Sequence, residues 1–153
     1  MTIAWIYLDK KSATVNVLKD YSDMEFIINS TPDDVADVRA KMTAVKAVAP
    51  TGAPPTSSPN PHAGETRLAA QLDEIDVLKE RYRQALEYME WFQPAWDTLT
   101  ETEQIILKEF YMGGNQRSGA GPRLETRLNY GHSQIERLRS KGLSRLSTLL
   151  FGK

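Results

Sequence analysis

The chain has 153 residues, 41% of them apolar and 25% charged, with a net charge of −1. That is one domain's worth of ordinary globular sequence. No apolar run reaches the roughly 18 residues of a membrane span, and Met1 to Asp9 lacks the basic lead and small-residue cleavage site of a signal peptide. With no cysteine, disulfides, thiolate metal sites and cysteine nucleophiles are excluded. A reducing, cytoplasmic setting is the simpler expectation.

Residues 1–48 read as an N-terminal helical segment. Val17, Leu18, Tyr21, Met24, Ile27 and Ile28 recur at helical spacing and form one apolar face. Ser30-Thr31-Pro32-Asp33-Asp34 predicts a stop and restart. Ser30 or Thr31 can cap, Pro32 suits a first helical position, and the two acids suit a helix start. Ile3 to Leu8 fits either a strand or a first helical turn.

Residues 49–62 read as a linker: five prolines stand between Ala49 and Pro61 with no large apolar residue. Residues 63–96 then carry the strongest periodicity. Leu68, Ile75, Leu78, Tyr82, Ala85, Met89 and Phe92 follow a heptad, spaced 3, 4, 3, 4 and 3 from Ile75 onward. Such a stripe predicts a long helix facing another in coiled-coil fashion. Its partner is either the helix around residues 10–30 or a second copy of the chain. Gln93-Pro94 predicts the end of this helix or a kink in it, and Trp91, Phe92 and Trp96 read as core anchors for the next segment.

Residues 97–153 read as a compact helical module. Thr100 and Glu103 have capping-box spacing. The helix they open carries Ile105, Ile106, Leu107, Phe110 and Tyr111 and stops at Gly113-Gly114. A loop, Asn115 to Pro122, leads to a short helix at about Arg123–Leu128. The turn Asn129-Tyr130-Gly131 comes next, with Gly131 permitting its tightness, and then a longer helix, about His132–Leu150. The whole chain is therefore expected to be all-α.

Charge singles out this last module. Through Tyr111 there are 11 Lys and Arg against 18 Asp and Glu, a balance of −7; from Met112 there are 8 against 2, a balance of +6. Either the basic part meets a polyanion, or it packs on the acidic part of the same molecule. Short helix, three-residue turn and long helix are the plan of a helix-turn-helix, whose second helix enters the DNA major groove. Leu124, Leu128, Tyr130, Ile135 and Leu138 are expected to face inward. His132, Ser133, Gln134, Glu136, Arg137 and Ser140 are then expected to face outward, where Gln suits adenine and Arg suits guanine. Arg123, Arg127, Lys141 and Arg145, with Arg117 and Arg139, suit phosphates.

From Leu99 to Leu149 the chain resembles region four of primary sigma factors. It looks most like phage and prophage transcriptional regulators of the ArpU and RinA type. The shared features are the Leu-Thr-Glu-x-Glu start, the Phe110-Tyr111 helix end and the run RLNYGHSQIERLRSKGLSRL. The resemblance implies an all-helical, sequence-specific binder of double-stranded DNA that regulates transcription, as an activator of phage late genes would. It implies DNA contact by His132, Ser133, Gln134, Glu136, Arg137 and Lys141. Two departures stand out: a longer, glycine-rich connection at Gly113–Pro122 and a less apolar short helix after it.

No enzyme chemistry is expected. His62 and Glu65 lack a third metal ligand, and Gly114–Gly121 lacks the Lys-Ser/Thr of a phosphate-binding loop. Asp73, Asp76 and Glu80 lie among basic residues as solvated helix charges. No cofactor or metal is implied. The expected partners are double-stranded DNA, RNA polymerase and a second copy of the chain joined through the N-terminal helices. The alternatives are a DNA-packaging protein like a terminase small subunit, and a module that contacts only RNA polymerase or another protein.

Overall fold

A computed structural model describes residues 9–47 and 62–152. Ile3–Leu8 and the proline run 49–61 lie outside the described residues. Among those described there is no strand, and the all-α expectation holds. The helices are α1 (Lys10–Ala47), α2 (Ala63–Thr98), α3 (Glu101–Leu107), α4 (Ala120–Leu128) and α5 (His132–Phe151). A π-helical turn, Lys108–Met112, extends α3, and a 3₁₀ turn covers Gly114–Arg117.

The stop predicted at Ser30–Asp34 does not occur: α1 runs unbroken through Pro32. Proline removes the amide that would bond to the Ile28 carbonyl, a cost of about 3 kcal/mol in a helix interior. Continuing the helix keeps Ile27, Thr31 and Val38 on one face, where Thr31 and Val38 are buried, while Pro32 itself stays exposed. The Thr31 hydroxyl also donates to the Ile27 carbonyl at 2.5 Å. Likewise α2 does not end at Gln93-Pro94. Pro94 offers no amide to the carbonyl of Glu90, and Glu90 is an exposed residue. Four more helical residues bury Ala95 and pack Trp96 on the core.

The described helices divide between two compact units, one taking the chain up to Met24 together with Glu87 onward, the other Glu25–Leu86. In the second unit, the buried side chains are Thr31 and Val38 from α1 and Ile75 and Ala85 from α2. A shallow groove of about 300 Å³ lies between Thr31, Pro32, Val35 and Arg39 on one helix and Lys79 and Tyr82 on the other. Phe26, Leu72 and Val77 remain exposed.

In the first unit, Leu18 of α1 clusters with Phe92 and Ala95 from the end of α2, Leu99 just after it, Leu107 of α3, and Leu146, Leu150 and Phe151 of α5. Here the partner of the aromatic end of the heptad stripe is α1 of the same chain. Tyr88 donates to the Val17 carbonyl at 2.5 Å, and the Tyr21 and Phe92 rings lie 5.5 Å apart. Ser22 adds a bond to the Met112 carbonyl. A second cluster consists of Ile106, Leu124 and Ile135, with Phe110, Leu128, Tyr130 and Leu138 packed around it. All five residues expected to face inward from the helix-turn-helix therefore share one cluster. Adjacent Ile106 and Leu107 point into different clusters, so short α3 is the wall between them.

Candidate nucleic-acid interface

The local chemistry that shapes the module begins at Thr100. Its hydroxyl accepts from the Glu103 amide, and the Glu103 carboxylate accepts from the Thr100 amide, the reciprocal capping box. This starts α3 after a link of only two residues, Leu99 and Thr100, from the end of α2. The approach of α3 to α5 is close at Gly142, which is buried; a Cβ built there would lie 3.4 Å from Glu103 Cβ and Cγ and Leu107 Cδ1.

The connection to the helix-turn-helix differs from the loop expected at Asn115–Pro122. Gly119 takes a left-handed conformation (φ 77°) and α4 begins at Ala120, three residues earlier than expected. Pro122 then sits in the first helical turn, where its missing amide would have had no intrahelical partner. The extra turn buries Ala120.

The three-residue turn falls where expected, but a different residue makes it tight. Asn129 is left-handed (φ 56°), whereas Gly131 is extended (φ −74°, ψ 160°) and a Cβ there would meet nothing. Asparagine tolerates this backbone because its short polar side chain lowers the left-handed penalty. Gly131 serves instead as the start of α5, its carbonyl accepting from the Gln134 and Ile135 amides.

The outward residues fall into two groups. Carboxylates already engage the first group. Glu109, on the π turn, lies 3.3 Å from Arg123 and 3.8 Å from Arg127, and Arg123 also donates to the Ser118 carbonyl. His132 lies 3.3 Å from Glu125. Glu136 pairs with Arg139 at 2.6 Å, and the Arg139 guanidinium sits 4.5 Å from the centre of the Phe110 ring. Arg145 reaches the buried Glu103 carboxylate at 3.7 Å. The second group is Ser133, Gln134, Arg137, Ser140 and Lys141. All five are exposed, and among the described residues none has a side-chain hydrogen bond or ion pair. Their spacings of three and four residues align them on one face of α5, and Ser133, Gln134 and Arg137 line a shallow depression of about 350 Å³.

This surface can donate hydrogen bonds from Gln134 and Arg137 and offer two uncompensated cations, Arg137 and Lys141. Arg117, named with the phosphate contacts, is partly buried, and among the described residues its buried Nε has no hydrogen-bond partner. Sequence spacing did not point to Glu103, Glu109 or Glu125 as partners of these cations. Only the Glu136–Arg139 pair, three apart on one helix, carries a local signal. His62 and Glu65, weighed as metal ligands, form an exposed pair at 3.4 Å. Among the described residues no three His, Asp or Glu side chains are grouped to hold a metal ion, and no helix is long and apolar enough to cross a membrane. No protein-family model matches the chain, and no curated protein or solved structure matches it.

Proposed function

We propose that this chain is a sequence-specific regulator that binds double-stranded DNA with α5 in the major groove, in the manner of the ArpU- and RinA-type phage regulators it resembles. The carrying observation is the unpaired row Ser133, Gln134, Arg137 and Lys141 on the second helix of a helix-turn-helix with an apolar core beneath it. Gln134 and Arg137 read base edges, and Lys141 meets a phosphate. The charge balance of +6 from Met112 onward supports attraction to a polyanion.

The test is duplex binding followed by fluorescence anisotropy across salt concentrations, with fragments first selected from the parent genome. Arg137→Ala should cost roughly 1–3 kcal/mol and relax preference at one base pair. Lys141→Ala should weaken all sequences alike and reduce the salt slope by about 0.9. Absence of duplex binding at low salt would defeat the reading. The second-copy contact expected of the N-terminal helices we assign to the Glu25–Leu86 unit, where Phe26, Leu72 and Val77 are exposed. Light scattering that finds a dimer agrees with regulation of paired half-sites; a ring of many copies would favour DNA packaging instead.

A further inference from the structure

We infer that Glu109 is a built-in competitor for the DNA backbone, holding Arg123 and Arg127 of α4 in ion pairs that phosphate must displace. This rests on the DNA-binding function proposed for α5 and says how that surface is tuned. Arg123 and Arg127 are one helical turn apart, so one carboxylate can meet both, with Oε2 at 3.3 Å from Arg123 and Oε1 at 3.8 Å from Arg127. The carboxylate comes from outside α4, on the π turn that extends α3, and π turns recur at functional sites.

The competitor is weak by construction. The arginine side chains are 46% and 60% exposed and Glu109 is 31% exposed. Pairs this solvated are worth little, and a phosphate can exchange for the carboxylate at small cost. Arg123 keeps its bond to the Ser118 carbonyl at 2.8 Å, so its guanidinium stays near α4 when the carboxylate is exchanged. In the protein without DNA, Glu109 lowers the positive potential of α4. Non-specific attraction then falls mainly to α5, and the α4 arginines are engaged only when the protein is seated closely enough for a phosphate to replace Glu109.

Glu109→Gln tests this on the full chain. Removing an exposed competitor of this kind should tighten duplex binding about two- to five-fold at moderate salt. It should also steepen the logarithmic salt slope by about 0.9, the weight of one carboxylate. The gain should be larger on unselected duplexes than on the preferred site. Glu101→Gln removes the same charge from an exposed residue of α3 outside these pairs and should change affinity much less. Adding Arg123→Ala and Arg127→Ala to Glu109→Gln should abolish the gain. If Glu109→Gln leaves affinity and slope unchanged while the wild type binds, the pairs only pin α4 to the π turn and the inference is overturned. An equal gain from Glu101→Gln would reduce the effect to net charge and also overturn it. If neither wild type nor variant binds DNA, the functional reading itself fails, and the inference with it. Circular dichroism of each variant guards against loss of fold.

Discussion

Gly142 offers a sharp test of how α5 is held in place. It lies inside a helix, where glycine is about 1 kcal/mol less favourable than alanine because its unfolded backbone has more freedom to lose. It also lies where α5 approaches α3. Gly142→Ala would place a methyl group 3.4 Å from Glu103 Cβ and Cγ and Leu107 Cδ1, at the near edge of ordinary van der Waals contact. At 3.4 Å the three contacts stand just inside the optimal separation of about 3.5–4.0 Å and add little attraction, so the gain in helix propensity sets the sign. Gly142→Ala should stabilise the protein by about 1 kcal/mol and raise Tm by roughly 2–4 °C for a chain of this size. Gly142→Val adds two further methyl groups where the first already stands 3.4 Å from Glu103 and Leu107, and should lose about 1–3 kcal/mol to overpacking. Thermal and urea unfolding followed by circular dichroism read both. A lower midpoint for Gly142→Ala would refute the reasoning, since the helices would then be held too closely for any side chain. Duplex affinity should be unchanged in Gly142→Ala, because the residue faces α3 and not the Arg137 row.

Two further outcomes probe the supports of the site. Leu124→Ala empties the centre of the helix-turn-helix cluster, where Leu124, Ile106 and Ile135 are all fully buried. It should cost about 2–5 kcal/mol in urea unfolding and weaken DNA binding on every sequence alike, and a cost below about 1 kcal/mol would deny that cluster its role. Tyr88→Phe removes the bond to the Val17 carbonyl and should cost about 1 kcal/mol. The Tyr88 hydroxyl is held above its ordinary pKa, first by burial and then by the charges of Asp20 and Tyr21. A raised folded pKa means that this stabilisation is complete below about pH 10 and is lost as pH rises further. An alkaline unfolding series should show that loss in the wild type and a smaller one in Tyr88→Phe.

Much of the architecture is legible along the chain because its causes act over a few residues. The capping box at Thr100 and Glu103 needs a spacing of three, and the heptad from Ile75 to Phe92 needs only periodicity; both are in the structure. The inward set Leu124, Leu128, Tyr130, Ile135 and Leu138 came from the same rule and converges on one cluster. Where local signals misled, a longer-range gain outweighed them. Pro32 and Pro94 mark helix ends in isolation, yet each sits inside a helix whose continuation buries residues on both sides. The glycine of the Asn-Tyr-Gly turn looks like the special backbone position, but Asn129 occupies it.

Residue types by themselves named the cations of the C-terminal part and the order of its helices. They did not say which cations would be left over. Glu109 meets Arg123 fourteen residues away, and Glu103 meets Arg145 across the α3–α5 contact. Pairings of that kind depend on where whole helices pack, and packing is settled by apolar burial among Ile106, Leu107, Leu124, Ile135 and Leu146. Short-range propensity therefore wrote the list of helices, while the burial of distant side chains against one another decided that Arg137 and Lys141 face solvent with no ion-pair partner among the described residues.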